Sequence, residues 1–304
     1  MEDFLLDIPP RFMWGWGPNV SGYCGSMTIQ SIAIYYGSYV SQDRVRGLSG
    51  GHDGKHEVML GRGGCCAAID MMSKLSLNAS QWSYWSASRP QSKAFLSWMR
   101  QAVKQQEPVA FGVFMQTETN EGFDHIVPLV GFERDGGTLV FNDLHSRVAL
   151  RKQLPGFVAT RAACRRALPW SERFAYCLPS DVNYGIRVHG NSDSEGALYP
   201  ARLIMDEWTE PDYSAEDSKG ESPKLLGATL HTRGLTPGRK YSVLVFDDWT
   251  RVPKRAFSSN QTGGLVSRVD FVATRADGTH QRRVSFMSDS TTFYRVVDHA
   301  SRSV

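Results

Sequence analysis

Helical periodicity stops in this sequence near residue 180, and that change of texture constrains the fold more than any other feature. Before it, apolar residues recur at helical spacing over residues 26–36, 65–75 and 92–104. Gly37 is placed to stop the first of these helices. Residues 109–115 form a continuous apolar run suited to a central strand. Residues 125–133 and 138–142 flank Arg134-Asp135-Gly136-Gly137, the chemistry of a tight hairpin turn. Residues 174–178 read as a closing strand. The first part is therefore expected to be α+β, with helices packed on an antiparallel sheet. After Asp181 seven short strand-like runs follow, at 185–189, 201–205, 227–231, 241–246, 267–274, 281–287 and 292–297. Such a series predicts an all-β sandwich.

At 304 residues the chain is long enough for two cores. The expected domains are 1–180 and 181–304, joined by a linker at 179–183. The acidic, Ser/Pro-containing segment 210–224 is expected to be a mobile loop within the second. Lys and Arg total 34 against 31 Asp and Glu, so no nucleic-acid partner is implied by charge. The longest apolar stretches are about seven residues, far short of the roughly 20 that a membrane-spanning helix needs. No basic, apolar leader pattern opens the chain, which favours the cytoplasm. Five cysteines, Cys24, Cys65, Cys66, Cys164 and Cys177, are too few and odd in number for a disulfide framework, although Cys164 and Cys177 could pair.

The sharpest local feature is the run from Trp14 to Ser26, Trp-Gly-Trp-Gly-Pro-Asn-Val-Ser-Gly-Tyr-Cys-Gly-Ser. It presents Cys24 directly before a helix. The positive end of the helix dipole and the unbonded amides there stabilise a thiolate. Gly22 and Gly25 leave room for a substrate backbone, and Trp14 and Trp16 flank the loop, either as edge packing or as aromatic walls for a substrate. A nucleophilic cysteine needs a base, and the base needs an orienting group. His125 opens one strand of the hairpin, and Asn142-Asp143 close the other. In an antiparallel hairpin these ends are neighbours. Either residue could orient the imidazole. Adjacent strand residues point to opposite faces, so one of the two is expected to reach it.

These pieces in this order resemble the papain-like cysteine peptidases, and most closely the bacteriocin-processing branch. The matching residues are Gly22-Tyr23-Cys24-Gly25-Ser26 with the helix to Gly37, His125-Ile126-Val127 with Val130-Gly131-Phe132, and Phe141-Asn142-Asp143. The resemblance spans roughly residues 10–180. It implies amide or acyl chemistry through a thioester, with Cys24 as nucleophile, His125 as base and then acid, and Asp143 as the orienter. Aligning Asp143 on the family pattern selects it over Asn142. The family's upstream oxyanion glutamine falls here on Pro18, which leaves Asn19 as the nearest amide. A proline that often follows the orienting aspartate is Leu144 here. Separately, Leu235-Thr236-Pro237-Gly238-Arg239-Lys240-Tyr241 resembles the tyrosine corner of fibronectin type III domains.

The expected activity is thus a cysteine hydrolase, a thiol protease acting on a peptide or isopeptide bond of a peptide or protein substrate, with no cofactor and no metal. Two alternatives share the same residues. One is acyl transfer or amide hydrolysis on the same triad. The other is a non-catalytic binding protein that meets a protein partner through its β-domain. His52, Asp53, His56 and Glu57 lie close together, but the glycines around them argue for a loop rather than a zinc-binding helix. Cys65 and Cys66 read as structural. Trp82, Tyr84 and Trp85 form an aromatic cluster, either edge packing or a substrate wall.

Overall fold

The computed structural model describes residues 4–13, 22–49, 58, 68–117, 122–143, 147–167, 174–208 and 222–299. The chain opens with β1 (Phe4–Leu5), α1 (Cys24–Tyr35), β2 (Ser38–Val40) and α2 (Gln42–Leu48). Next come α3 (Ala68–Lys74), β3 (Leu77–Gln81) and α4 (Ser92–Lys104). The strands β4 (Val109–Thr117), β5 (Gly122–Phe132), β6 (Thr138–Phe141) and β7 (Leu150–Gln153) follow. Short α5 (Leu154–Phe157) and β8 (Val158–Ala159) lead through α6 (Arg161–Ala167) to β9 (Phe174–Pro179). From there the described elements are strands: β10 (Gly185–Asn191), β11 (Leu198–Tyr199), β12 (Ala201–Met205), β13 (Leu225–Thr232), β14 (Lys240–Phe246), β15 (Ser267–Val272), β16 (His280–Met287) and β17 (Thr291–Asp298). The expected mix of helices with mainly antiparallel sheet is what the chain adopts.

The first sheet runs β3-β10-β4-β5-β6-β7, with β1 beside β5 and β9 beside β4. Two helices cover it for different reasons. α4 is amphipathic and buries Phe95, Leu96, Met99, Ala102 and Val103 along one stripe. α1 is buried almost all round, from Cys24 to Ile34. Its polar residues therefore need partners. Thr28 donates to the Ile126 carbonyl at 3.0 Å, and Gln30 donates to the Val40 carbonyl at 2.8 Å. Gly37 ends the helix with φ +72, and a Cβ there would meet the Ala201 carbonyl at 3.0 Å. The β5–β6 turn follows its sequence. Asp135 accepts from the Gly137 and Thr138 amides at 2.8 and 3.1 Å, and these bonds hold its carboxyl below the usual range.

The expected division at 180/181 is corrected. β10 pairs with β3 and β4, so the first sheet continues past the expected boundary to Asn191. The expected linker is packed as well. Asn183 is buried, donates from its side chain to the Pro179 carbonyl at 2.7 Å, and donates its backbone amide to the Gln91 side-chain oxygen at 3.1 Å. Local periodicity identifies the strand, but the sheet that takes it is decided by distant partners. The segment 210–224 lies mostly outside the described residues.

The later strands form two further sheets, β11-β17-β14-β15 and β12-β13-β16, with a shared apolar core that includes Leu203, Leu230, Tyr241, Phe286 and Val296. β2, from the first part of the chain, pairs with β17 and so joins the first of these. Tyr39 enters that core. The Tyr241 hydroxyl accepts the Thr236 amide at 2.8 Å. Cys164 and Cys177 form a disulfide that ties α6 to β9. Among the described residues, no helix is long and apolar enough to cross a membrane.

Candidate active site

Cys24 is the first residue of α1, and Tyr23 is its cap residue. The Met27 amide bonds the Tyr23 carbonyl at 2.8 Å, so the first turn is closed. Cys24 carries a reduced thiol and is 8% exposed. The cap ring lies under the Arg46 guanidinium, 4.5 Å from centroid to carbon. Gly22 stands just before this turn. The space beside Gly25, expected to admit substrate, is filled by the chain itself. A Cβ at Gly25 would meet the Val58 carbonyl at 3.0 Å.

His125 lies in β5 opposite Val113 and is 1% exposed. The bond from Thr28 to the Ile126 carbonyl places α1 against β5 at the residue following His125. At that point β6 has already ended, because its register with β5 begins at Leu129↔Phe141. The helix thus occupies the strand edge that β6 leaves. Ile126 packs in the same apolar cluster as Cys24. Alternation sets the His125 side chain on the face that Val127 shares. Its ring lies there 6.1 Å from that of Tyr176.

Asn142 and Asp143 separate as strand alternation requires. The Asn142 amide nitrogen bonds the Pro128 carbonyl at 3.1 Å, which continues the register by one residue. A further step sets Asp143 opposite Val127, the same-face neighbour of His125 on β5. The Asn142 side chain is committed elsewhere, donating to the Ile8 carbonyl at 2.9 Å. Asp143 accepts the Tyr176 hydroxyl at 2.6 Å, and both residues are buried. Burial, and then the nearby Asp143 charge, push the Tyr176 hydroxyl far above its ordinary pKa, so it stays a donor. His125 from β5, Asp143 after β6 and Tyr176 from β9 therefore converge on one face.

Tyr176 is the member of this group that sequence reasoning misses. Its strand is legible, but nothing local indicates that β9 lies beside β4 with Tyr176 next to Met115. Asp124, just before His125, forms an ion pair with Arg161 of α6 at the surface.

Trp14, Trp16, Asn19, His52, Asp53, His56, Glu57, Cys65 and Cys66 lie outside the described residues. Among the described residues, no three His, Cys, Asp or Glu side chains gather in a metal-binding group. The aromatic cluster is largely packing. Trp82 meets Phe95 and Trp98 of α4 at centroid distances of 5.4 and 5.7 Å, and Tyr84 meets Tyr184 at 4.8 Å. Trp85 alone of the three is well exposed, at 67%. No protein-family model matches this chain, and no curated protein matches it.

Proposed function

We propose that this chain is a cysteine-dependent hydrolase with a papain-like first unit and a fibronectin-like second unit, acting on a peptide or isopeptide bond. The observation that carries the reading is the Thr28–Ile126 bond. It fixes the helix that begins at Cys24 against the strand residue next to His125. The chemistry follows from the residue types. His125 takes the Cys24 proton, and the thiolate adds to the substrate carbonyl carbon. The amine leaves with the proton from His125, and a thioester remains on Cys24. Water, deprotonated by His125, then releases the acid and restores the thiol. Asp143 holds the imidazole and balances its charge, and the Tyr176 hydroxyl holds Asp143. Asn19, Trp16 and Gly22 remain the proposed substrate and oxyanion contacts.

One observation favours a second reading, a non-catalytic binding protein on the same fold. Cys24 and His125 are both buried. Alkylation by iodoacetamide at mildly acidic pH separates the two, because only a thiol held as thiolate reacts there. Stoichiometric, His125-dependent labelling of Cys24 supports the hydrolase. An inert Cys24, with no turnover of any substrate in a peptide and isopeptide panel, supports the binding protein.

A further inference from the structure

A cleft of about 550 Å³ opens where the first sheet meets the strands of the sandwich. It lies at the far end of α1 from Cys24, roughly 16 Å away at 1.5 Å per helical residue. Its chemistry differs from that of the site above. Arg202 of β12 and His231 of β13 are direct partners in the sheet register. Arg233 lies two residues beyond His231 and continues that pairing through its amide bond to the Pro200 carbonyl at 3.2 Å. The three side chains therefore share one face.

At His231 the cations outweigh the nearby Asp277, while Asp7 and Asp193 also line the cleft. Burial, and then Arg202, Arg233 and Arg275, hold the His231 imidazole below its ordinary pKa. Arg202 forms an ion pair with Asp7, whose side chain is 74% exposed. Arg233 lies near the Tyr35 hydroxyl, which donates to the Gln106 carbonyl at 3.4 Å, and Arg233 pairs with no carboxylate among the described residues. Guanidinium groups set side by side suit the oxygens of a phosphate or sulfate. Tyr36 and Tyr199 line the same cleft, whose volume exceeds what a bare inorganic ion fills.

The structure assigns this cleft to a small organic anion, a phosphate or sulfate ester carried on a ring. The anionic head sits among Arg202, His231 and Arg233, and the ring lies against Tyr36 and Tyr199. The test is calorimetric titration of the full chain with phenyl phosphate, phenyl sulfate and inorganic phosphate. Both esters are expected to bind, and inorganic phosphate to bind more weakly. Arg233→Ala is expected to weaken the esters about tenfold or more, the loss of one charge-assisted contact. Asp7→Asn is expected to tighten them several-fold, because it releases Arg202 and removes a like charge. That gain cannot come from a damaged fold. Absence of ester binding at millimolar concentration, or equal affinity in the parent, Arg233→Ala and Asp7→Asn, would overturn the assignment. Inorganic phosphate binding as tightly as the esters would overturn the role given to the ring.

Discussion

The ring of Tyr39 stacks on that of Phe286 with centroids 4.3 Å apart, although the two residues belong to opposite parts of the chain. The Tyr39 hydroxyl also donates to the Ser288 carbonyl at 2.7 Å. Truncating a fully buried aromatic residue leaves a cavity and an orphaned carbonyl. Tyr39→Ala is expected to destabilise the protein by about 3 kcal/mol or more, and Tyr39→Phe by about 1 kcal/mol. Urea unfolding followed by tryptophan fluorescence measures both. A loss in Tyr39→Ala no larger than that in Tyr39→Phe would show that the ring contributes little to joining the two parts.

Asp143 and Asn142 are expected to separate by phenotype. Asp143→Asn keeps the shape but removes the charge that supports an imidazolium, so Cys24 alkylation at mildly acidic pH should slow by about tenfold or more. Tyr176→Phe should produce a smaller slowing. Asn142→Ala breaks the bond to the Ile8 carbonyl and should lower stability by about 1–2 kcal/mol while labelling persists. Slower labelling in the Asn142 variant with normal labelling in the Asp143 variant would reverse the roles.

Arg295 is a buried cation with little support. Its Nη1 reaches the Ser38 hydroxyl and the Tyr294 carbonyl, each at 3.0 Å. Among the described residues its Nε and Nη2 have no hydrogen-bond partner, and the guanidinium carbon lies 5.6 Å from the centre of the Phe293 ring. Burial pulls its pKa well below the ordinary arginine value, to about 9. A depressed value means that the folded state holds the proton less tightly than the unfolded state. The penalty is therefore complete below about pH 9 and declines as pH rises from there towards the ordinary arginine value. Arg295→Met is expected to raise stability at neutral pH by about 1 kcal/mol or more. Its advantage over the parent should shrink above about pH 9. Thermal unfolding across a pH series measures both effects, and a destabilised Arg295→Met variant would contradict the account.

The Cys164–Cys177 disulfide spans 13 positions. Closing a loop of that length restricts the unfolded chain by about 3 kcal/mol. Replacing both cysteines with alanine is expected to cost about 2–4 kcal/mol and to release α6 from β9. Hydrogen exchange should then rise first in residues 161–167. Unchanged exchange there would show that the bridge does not hold the helix.

Elements with a strong period of their own are legible in the sequence. Ser92–Lys104 is the helix that its apolar stripe indicates, and Ala201–Met205 is the strand that its run indicates. β2 is not legible, because three residues carry no period and its partner on β17 lies about 250 positions away. β3 reads Leu-Asn-Ala-Ser-Gln, with one buried residue to mark it. The sheet joined by residues 185–191 is equally invisible locally, which is why the expected boundary falls too early. At the candidate site, Cys24 on a helix start and His125 on a strand follow from local pattern. The Tyr176–Asp143 bond depends on β9 lying beside β4, a pairing that no local signal encodes.

The helix that begins at Cys24 is held by different bodies at its two ends. Near its start Thr28 fixes it to β5. At its finish Ile34 enters the sandwich core, and the Gly37 carbonyl accepts the Tyr294 amide at 2.9 Å. A rod clamped in this way takes its aim from both clamps. The sandwich therefore sets the bearing of a thiol it does not touch, and trimming its strands would misalign Cys24 from the opposite end of the rod.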